Sequence, residues 1–354
     1  MWNWFSGGNK ENLGIDLGAA NIKIVELGRA GGRLILRNYA VAKTKSGEEI
    51  KIDKLNEKEL AEVLKNIMRE AGFKSNRASF SLPTGKTFST VMELPLMPEK
   101  ELAAAVPFEA QKYVPVPLEN VVLDWSVISL GQKAELPQKE TSKEEPKNTE
   151  EKPPLEINPV KPASPQLAPQ NQEITRFRAQ FQPPKSGIQV MLVAVPKDII
   201  NFLTKAAGLT GLKISAFEHE AFSLARALVG NDSGTYLIAD LGPKSADIVI
   251  VDQGIVKASH CLEAASKEAA LMEIDRVVNL FQMRYNKKVN QCLLVGGRAT
   301  EKEVREFLAS KLRLPLKTGD PFARVQYPQN LEKVLKEELG PPLAVAAGLA
   351  MRED

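Results

Sequence analysis

The stretch LGIDLGAANIKIVEL, Leu13 to Leu27, reads as a strand, a tight glycine turn and a returning strand. Its apolar residues suit a buried sheet, but Asp16 stands among them just before Gly18. A carboxylate in that position is costly to bury unless a cation or hydrogen-bond donors meet it. The stretch LIADLGPKSADIVIV, Leu237 to Val251, repeats the pattern: Asp16 falls on Asp240, Leu17 on Leu241, Gly18 on Gly242, and Ile24-Val25 on Ile248-Val249. Two copies of strand, Asp-Leu-Gly turn and strand predict two related lobes facing one another.

Glycine at each turn lets backbone N–H groups approach an anion closely. A carboxylate beside such a turn can hold Mg²⁺ or its waters when a phosphate completes the shell. A third element, CLLVGGRAT from Cys292 to Thr300, is an apolar strand ending in Gly296-Gly297, a turn that can admit a nucleoside against bare backbone. One D-x-G turn is common in hairpins. Two copies with the third element point to nucleotide-binding ancestry.

Around these turns the chain alternates strands and helices, the order of an α/β protein. NEKELAEVLKNIMREAGF carries Leu60, Val63, Leu64, Ile67 and Met68 at helical spacing, and MPEKELAAAVPFEAQKYVPVP reads as a helix interrupted at Pro107. From 131 to 186 the composition shifts to Pro, Glu, Lys and Gln, which cannot bury enough apolar surface to offset ordering entropy. Strand-like runs flank it, so it reads as a disordered insertion in a hairpin loop, with Phe177 and Phe181 in a short strand near its end.

A formal charge of +3 and the lack of an arginine stripe with interleaved aromatics argue against a nucleic-acid partner. Cys261 and Cys292 form no metal-binding spacing, and His219 and His260 are isolated. No apolar run approaches the roughly 20 residues that cross a bilayer. The terminus MWNWFSGGNKEN lacks a signal-peptide pattern, yet Trp2, Trp4 and Phe5 suit docking on the domain itself, on a partner or at a membrane interface.

On these motifs the sequence resembles the actin-like ATPase superfamily. Asp16-Leu17-Gly18 through Lys23 matches its first phosphate loop, Asp240-Leu241-Gly242 its second, and Gly296-Gly297 its adenosine motif. FEHEAFSLARAL looks like the first connecting helix, with Glu218 where some members place the residue that orients water; PLAVAAGLA looks like the second. More closely, the chain is similar to the PilM family of cytoplasmic type IV pilus assembly proteins. ELPLMPEKELAAAVPFEAQKYVPVPLENVVLDWSVI, VMLVAVPKDIINFL and TGDPFARV, together with the opening stretch, carry that likeness to about Arg352. The resemblance implies an actin-like two-lobed fold of duplicated ribonuclease-H-like domains. It divides the chain into an aromatic tail at 1–12, a first lobe at 13–76, an inserted subdomain at 77–196 and a second lobe with closing helix at 197–354. It implies ATP and Mg²⁺ as ligands, with Asp16 and Asp240 on the metal side. It also implies the cytoplasmic tail of a PilN-like inner-membrane protein as partner, bound in a groove between the first lobe and the inserted subdomain. Other pilus assembly components are implied as partners, and a cytoplasmic place on the inner membrane reached through them.

The sequence also departs from that family. Fewer than sixty residues separate Asp240 from Gly296, and neither a Gly-Gly loop nor an Ala-Glu-x-x-Lys motif lies between them. The helical subdomain that clasps the nucleoside is therefore missing and the second lobe is truncated. Pro243 removes an N–H from the second turn, Lys244 follows it, and Ala19-Ala20 stand where the family favours serines. Losing these bonds and the adenine burial costs several kcal/mol in order of magnitude. At about 1.4 kcal/mol per tenfold, micromolar binding becomes millimolar or absent. Two readings stay open: a scaffold with weak or lost nucleotide binding, which these departures favour, and a working Mg-ATP enzyme. For a kinase-like reaction Glu218 and Glu220 are the candidate bases.

Overall fold

The computed structural model describes residues 11–18, 20–42, 54–130, 187–263 and 266–353. The aromatic tail through residue 10, Ala19, and the 131–186 insertion with Phe177 and Phe181 lie outside the described residues.

The opening stretch forms β1 (Asn12–Leu17) and β2 (Ile22–Ala30), an antiparallel hairpin that continues into β3 (Arg33–Ala42). Helix α1 (Glu57–Ala71) follows. Asn56 caps it by accepting from the N–H groups of Lys58 and Glu59, while Glu59 accepts in return from the Asn56 N–H at 2.9 Å. β4 (Arg77–Leu82) then pairs parallel with β1.

The inserted subdomain comprises β5 (Phe88–Leu94), α2 (Glu99–Ala110), β6 (Val121–Leu130) and β7 (Ile188–Pro196), its strands ordered β5-β7-β6. α2 runs through Pro107 without a break. Pro107 and Ala103, whose carbonyl loses its usual donor, both lie on the exposed face, where water can replace the missing bond.

Beyond it come α3 (Lys197–Thr210), β8 (Lys213–His219) and α4 (Glu220–Leu228). The second lobe is built from β9 (Thr235–Leu241), β10 (Ser245–Asp252), β11 (Ile255–Glu263), α5 (Lys267–Tyr285), β12 (Gln291–Val295), α6 (Lys302–Lys311) and β13 (Leu316–Thr318). β14 (Val325–Gln326) and α7 (Ala344–Ala350) return to the first lobe.

The duplication inferred from the repeat is visible in topology. The first sheet has the order β14-β3-β2-β1-β4-β8 and the second β11-β10-β9-β12-β13. Apart from the added β14 the two orders correspond strand for strand, with the same antiparallel hairpins and parallel crossovers. The first sheet extends past the expected lobe boundaries: it holds β4, which that division gave to the inserted subdomain, and β8, which it gave to the second lobe. Hydrogen bonding across the β1–β4–β8 ladder gathers strands far apart in sequence.

The connecting helices sit beneath the joint between lobes. Helix α7 packs so closely that a Cβ on Gly14 of β1 would lie 1.9 Å from the Ala346 carbonyl oxygen. A Cβ on Gly348 would lie 2.0 Å from the Ser223 carbonyl oxygen of α4. The small side chains of AVAAGLA thus allow two helices and a strand to meet at backbone distance.

Candidate functional site: a carboxylate cluster around Lys23

The structure answers the opening question within the first hairpin itself. In the β1–β2 register Asp16 faces Lys23, and the Lys23 Nζ donates to Asp16 Oδ2 at 2.8 Å. Ser81 Oγ on β4 donates to Asp16 Oδ1 at 3.2 Å and accepts the Leu17 N–H at 3.2 Å. Asp16 is 2% exposed, so this ion pair is nearly dry on the carboxylate side. Burial opposes protonation of Lys23, but Asp16, Asp240 and Glu220 outweigh it and hold the ammonium above its ordinary value.

The second hairpin places a different pair in the same register. Asp240 on β9 faces Asp247 on β10, and position 247 is the repeat equivalent of Lys23. Burial, with Asp16 adding repulsion and Lys23 opposing it, pushes Asp240 up to about 6. Burial and the Asp240 charge push Asp247 up to about 7, against hydrogen bonds from Thr84 and Cys261. Asp247 Oδ1 is buried without a partner.

Glu220, the first residue of α4, completes the cluster. Burial and then Asp247, Asp16 and Asp240 raise its carboxyl well above the ordinary range. Thr84 Oγ1, just beyond β4, donates to Glu220 Oε2 at 3.4 Å. Asp16, Asp240 and Glu220 therefore act together on one ammonium, Asp247 adds its charge to the cluster through Glu220, and burial favours protons on Asp240, Asp247 and Glu220.

Glu218 is not among them. Arg226 grips its two oxygens at 2.5 and 2.8 Å, Arg352 adds a bond at 2.8 Å, and Arg226 also reaches the Gly348 carbonyl oxygen. This bidentate pair ties β8 to α4 and to the residues after α7. Of the two glutamates, Glu220 faces the cluster. His219 between them is buried, accepts the Ala221 N–H at its Nδ1, and is pushed down to about 4 by burial.

The glycine turns divide into used and open backbone. The Gly242 N–H donates to the Ser245 carbonyl oxygen at 2.9 Å, closing its own hairpin. Gly296 has φ +90°, and a Cβ there would lie 2.3 Å from Asp240 Oδ1 and 2.5 Å from the Leu241 carbonyl oxygen. The adenosine-type turn is thus pressed onto the second phosphate-type turn, and only glycine fits. At Gly297 a Cβ would meet nothing within 4 Å. Gly18 lies over Lys23, whose Nζ would be 3.5 Å from an added Cβ.

For Mg-ATP chemistry the fit is poor as the residues stand. Asp16 is matched by Lys23 and Ser81, the Leu17 and Gly242 N–H groups have protein acceptors, and Pro243 has no N–H to offer. Among the described residues no group of three or more His, Cys, Asp or Glu side chains is disposed to hold a metal. Cavities of about 550 Å³, lined in part by Asp320, Tyr327 and Lys336, and about 350 Å³, lined in part by Asn76, Arg77 and Lys213, involve none of the cluster.

Sequence reasoning missed Ser81, Thr84 and Asp247. A signal existed for Asp247, because the repeat aligns it with Lys23; the two hydroxyls on and just after β4 carried none.

Residues 14–141 and 259–354 match the family model described as Type IV pilus assembly protein PilM. Among solved structures, a chain of a PilM–PilN type IV pilus biogenesis complex is similar, at 20% identity over 98% of this chain and 99% of that one, with a TM-score of 0.71. A Bacteroides thetaiotaomicron protein of actin-like ATPase fold and unknown function is 12% identical over 97% of both chains, at a TM-score of 0.48. The cytoplasmic domain of EpsL, an inner-membrane component of the Vibrio cholerae type II secretion system, is 9% identical over 98% of this chain and 96% of that one, also at 0.48. The likeness to the chain of the PilM–PilN complex shows the actin-like two-lobed fold.

Proposed function

The chain belongs to the type IV pilus assembly protein PilM family, and from that premise we propose that it acts as a scaffold for the cytoplasmic tail of a PilN-like inner-membrane protein, with nucleotide binding weak or lost. One observation carries the docking half. Leu96, Phe108, Val116, Val122 and Val127 are exposed and all lie on the inserted subdomain, against Leu209 alone among such exposed side chains in the rest of the first lobe's described residues. Exposed apolar side chains gathered on one subdomain are candidates for a binding surface. An extended apolar tail can use them together with backbone pairing along a groove. The solved relative is a complex with PilN. No helix among the described residues is long and apolar enough to cross a membrane, so in this reading the partner supplies the attachment to the inner membrane.

The nucleotide half rests on Lys23. Its ammonium satisfies Asp16 internally, where a functional site would spend that carboxylate on Mg²⁺ or its waters. The missing clasp removes the burial that would offset displacing it. The rival reading, a Mg-ATP-dependent motor of pilus assembly, draws on the retained Asp16, Gly18, Lys23, Asp240, Gly242, Gly296 and Gly297, with Glu220 in place of Glu218 near the cluster.

Calorimetry separates the two. The expected result is saturable binding of a synthetic peptide of the PilN-like tail, and no heat from a non-hydrolysable ATP analogue with Mg²⁺ at millimolar concentration. ATP turnover that disappears in Asp16→Ala would establish the rival.

A further inference from the structure

The inserted sheet enters the chain between β4 and β8 of the first lobe, yet it leans on the second. One face, with Met92, Leu94, Val190 and Leu192, packs on Leu102 and Val106 of α2. The other, with Val91, Ile128 and Met191, joins a core that contains Val249, Val251 and Val256 of the second lobe. At the rim of this contact the second lobe contributes two buried cations. Lys257 on β11 donates its Nζ to the Ile128 carbonyl oxygen at 2.7 Å. Arg284, near the end of α5, donates its Nη2 to Glu93 Oε1 on β5 at 2.9 Å, and Gln189 on β7 donates to the same oxygen at 3.3 Å.

The Arg284 side chain is 0% exposed, whereas Glu93 is 23% exposed. Arg284 Nε and Nη1 have no partner, and the guanidinium lies 5.3 Å from the Tyr285 ring centroid. A fully dehydrated guanidinium with most of its donors unused recovers little of its desolvation cost. Such a contact specifies an arrangement more than it stabilises one.

We propose that the Arg284–Glu93 contact is a releasable latch that holds the inserted sheet on the second lobe and thereby sets one wall of the partner-peptide groove. This rests on the groove reading above. With the latch closed the wall is preorganised. With it open only a fraction of molecules present a competent groove, and the apparent Kd rises by the reciprocal of that fraction.

The test uses the full chain, a fluorescein-labelled synthetic peptide of the PilN-like tail, and amide hydrogen exchange. Arg284→Met should speed exchange in β11 and β5 while β1 and β9 keep their protection, and should raise the peptide Kd about tenfold. Arg284→Lys should restore much of both. Glu93→Gln, which strands the buried arginine, should give the same local pattern with a larger loss of thermal stability. Unchanged exchange in β11 and β5, or exchange raised equally in β1 and β9, overturns the latch. Local release with an unchanged Kd overturns its link to the groove. Absence of peptide binding to the unmutated chain would instead defeat the groove reading, leaving the exchange comparison to decide the latch alone.

Discussion

At the turn between β1 and β2 a carboxylate faces an ammonium; at the equivalent turn between β9 and β10 a carboxylate faces another carboxylate. The backbones match in register and in their place in the sheet order, so the duplication preserved geometry while one side chain, Lys23 against Asp247, reversed its charge. The consequences are opposite. The first hairpin gains an ion pair that raises Lys23. In the second, burial holds Asp240 up to about 6, and burial with the added Asp240 charge holds Asp247 up to about 7. A shared fold therefore says little about what a turn can bind; the residue across the hairpin decides whether the carboxylate is available.

The sharpest way to break this comparison is Lys23→Met. It strands Asp16 in a dry site with Ser81 as its remaining side-chain donor, and a loss of about 3–5 kcal/mol is expected in denaturant unfolding. Adding Asp16→Asn to the same chain should recover most of it, because the uncompensated charge is gone. Next in size is Gly296→Ala, which must fit a Cβ against Asp240 Oδ1 and Leu241 with φ at +90°. Strain and overpacking together should cost about 3 kcal/mol.

A pH scan sharpens the difference further. The folded pKa values of Asp240 and Asp247 are raised above 3.8, so the protonated carboxyls favour the folded state. That stability is present at low pH and is lost as pH rises from about 4 through about 7. Asp247→Asn should match the unmutated chain below about pH 4 and exceed it by roughly 2 kcal/mol at pH 8. Lys23 follows the same sign in a higher window: its raised pKa keeps its contribution intact below about 10 and loses it only above. The smallest expected effect is Gly297→Ala, whose Cβ meets nothing, and which should change the unfolding free energy by less than about 0.5 kcal/mol.

Local spacing made the hairpins, the repeat and α1 readable, because each depends on residues within one or two turns of the chain. α2 shows where that reasoning failed. Pro107 marks a break in a helix whose partners are unknown, but on an exposed face the helix continues. Glu218 failed for a longer-range reason. Its position before a connecting helix suggested water-orienting chemistry, but Arg226 and Arg352 turn its carboxylate to another task, and Arg352 lies 134 residues away. Glu220, two residues on, inherits the place near the cluster.

The amino-acid order by itself determined the duplicated strand–turn–strand units, the α/β class and the short spacing between Asp240 and Gly296. These follow from periodicity, glycine placement and chain length, which act locally. Only the tertiary structure decided that Lys23 satisfies Asp16, that Asp247 opposes Asp240 and that Glu220 joins them, since pairing across strands sets which charges share a dry space. It likewise decided that the inserted sheet rests on the second lobe, because its buried face meets residues more than a hundred positions away in the chain.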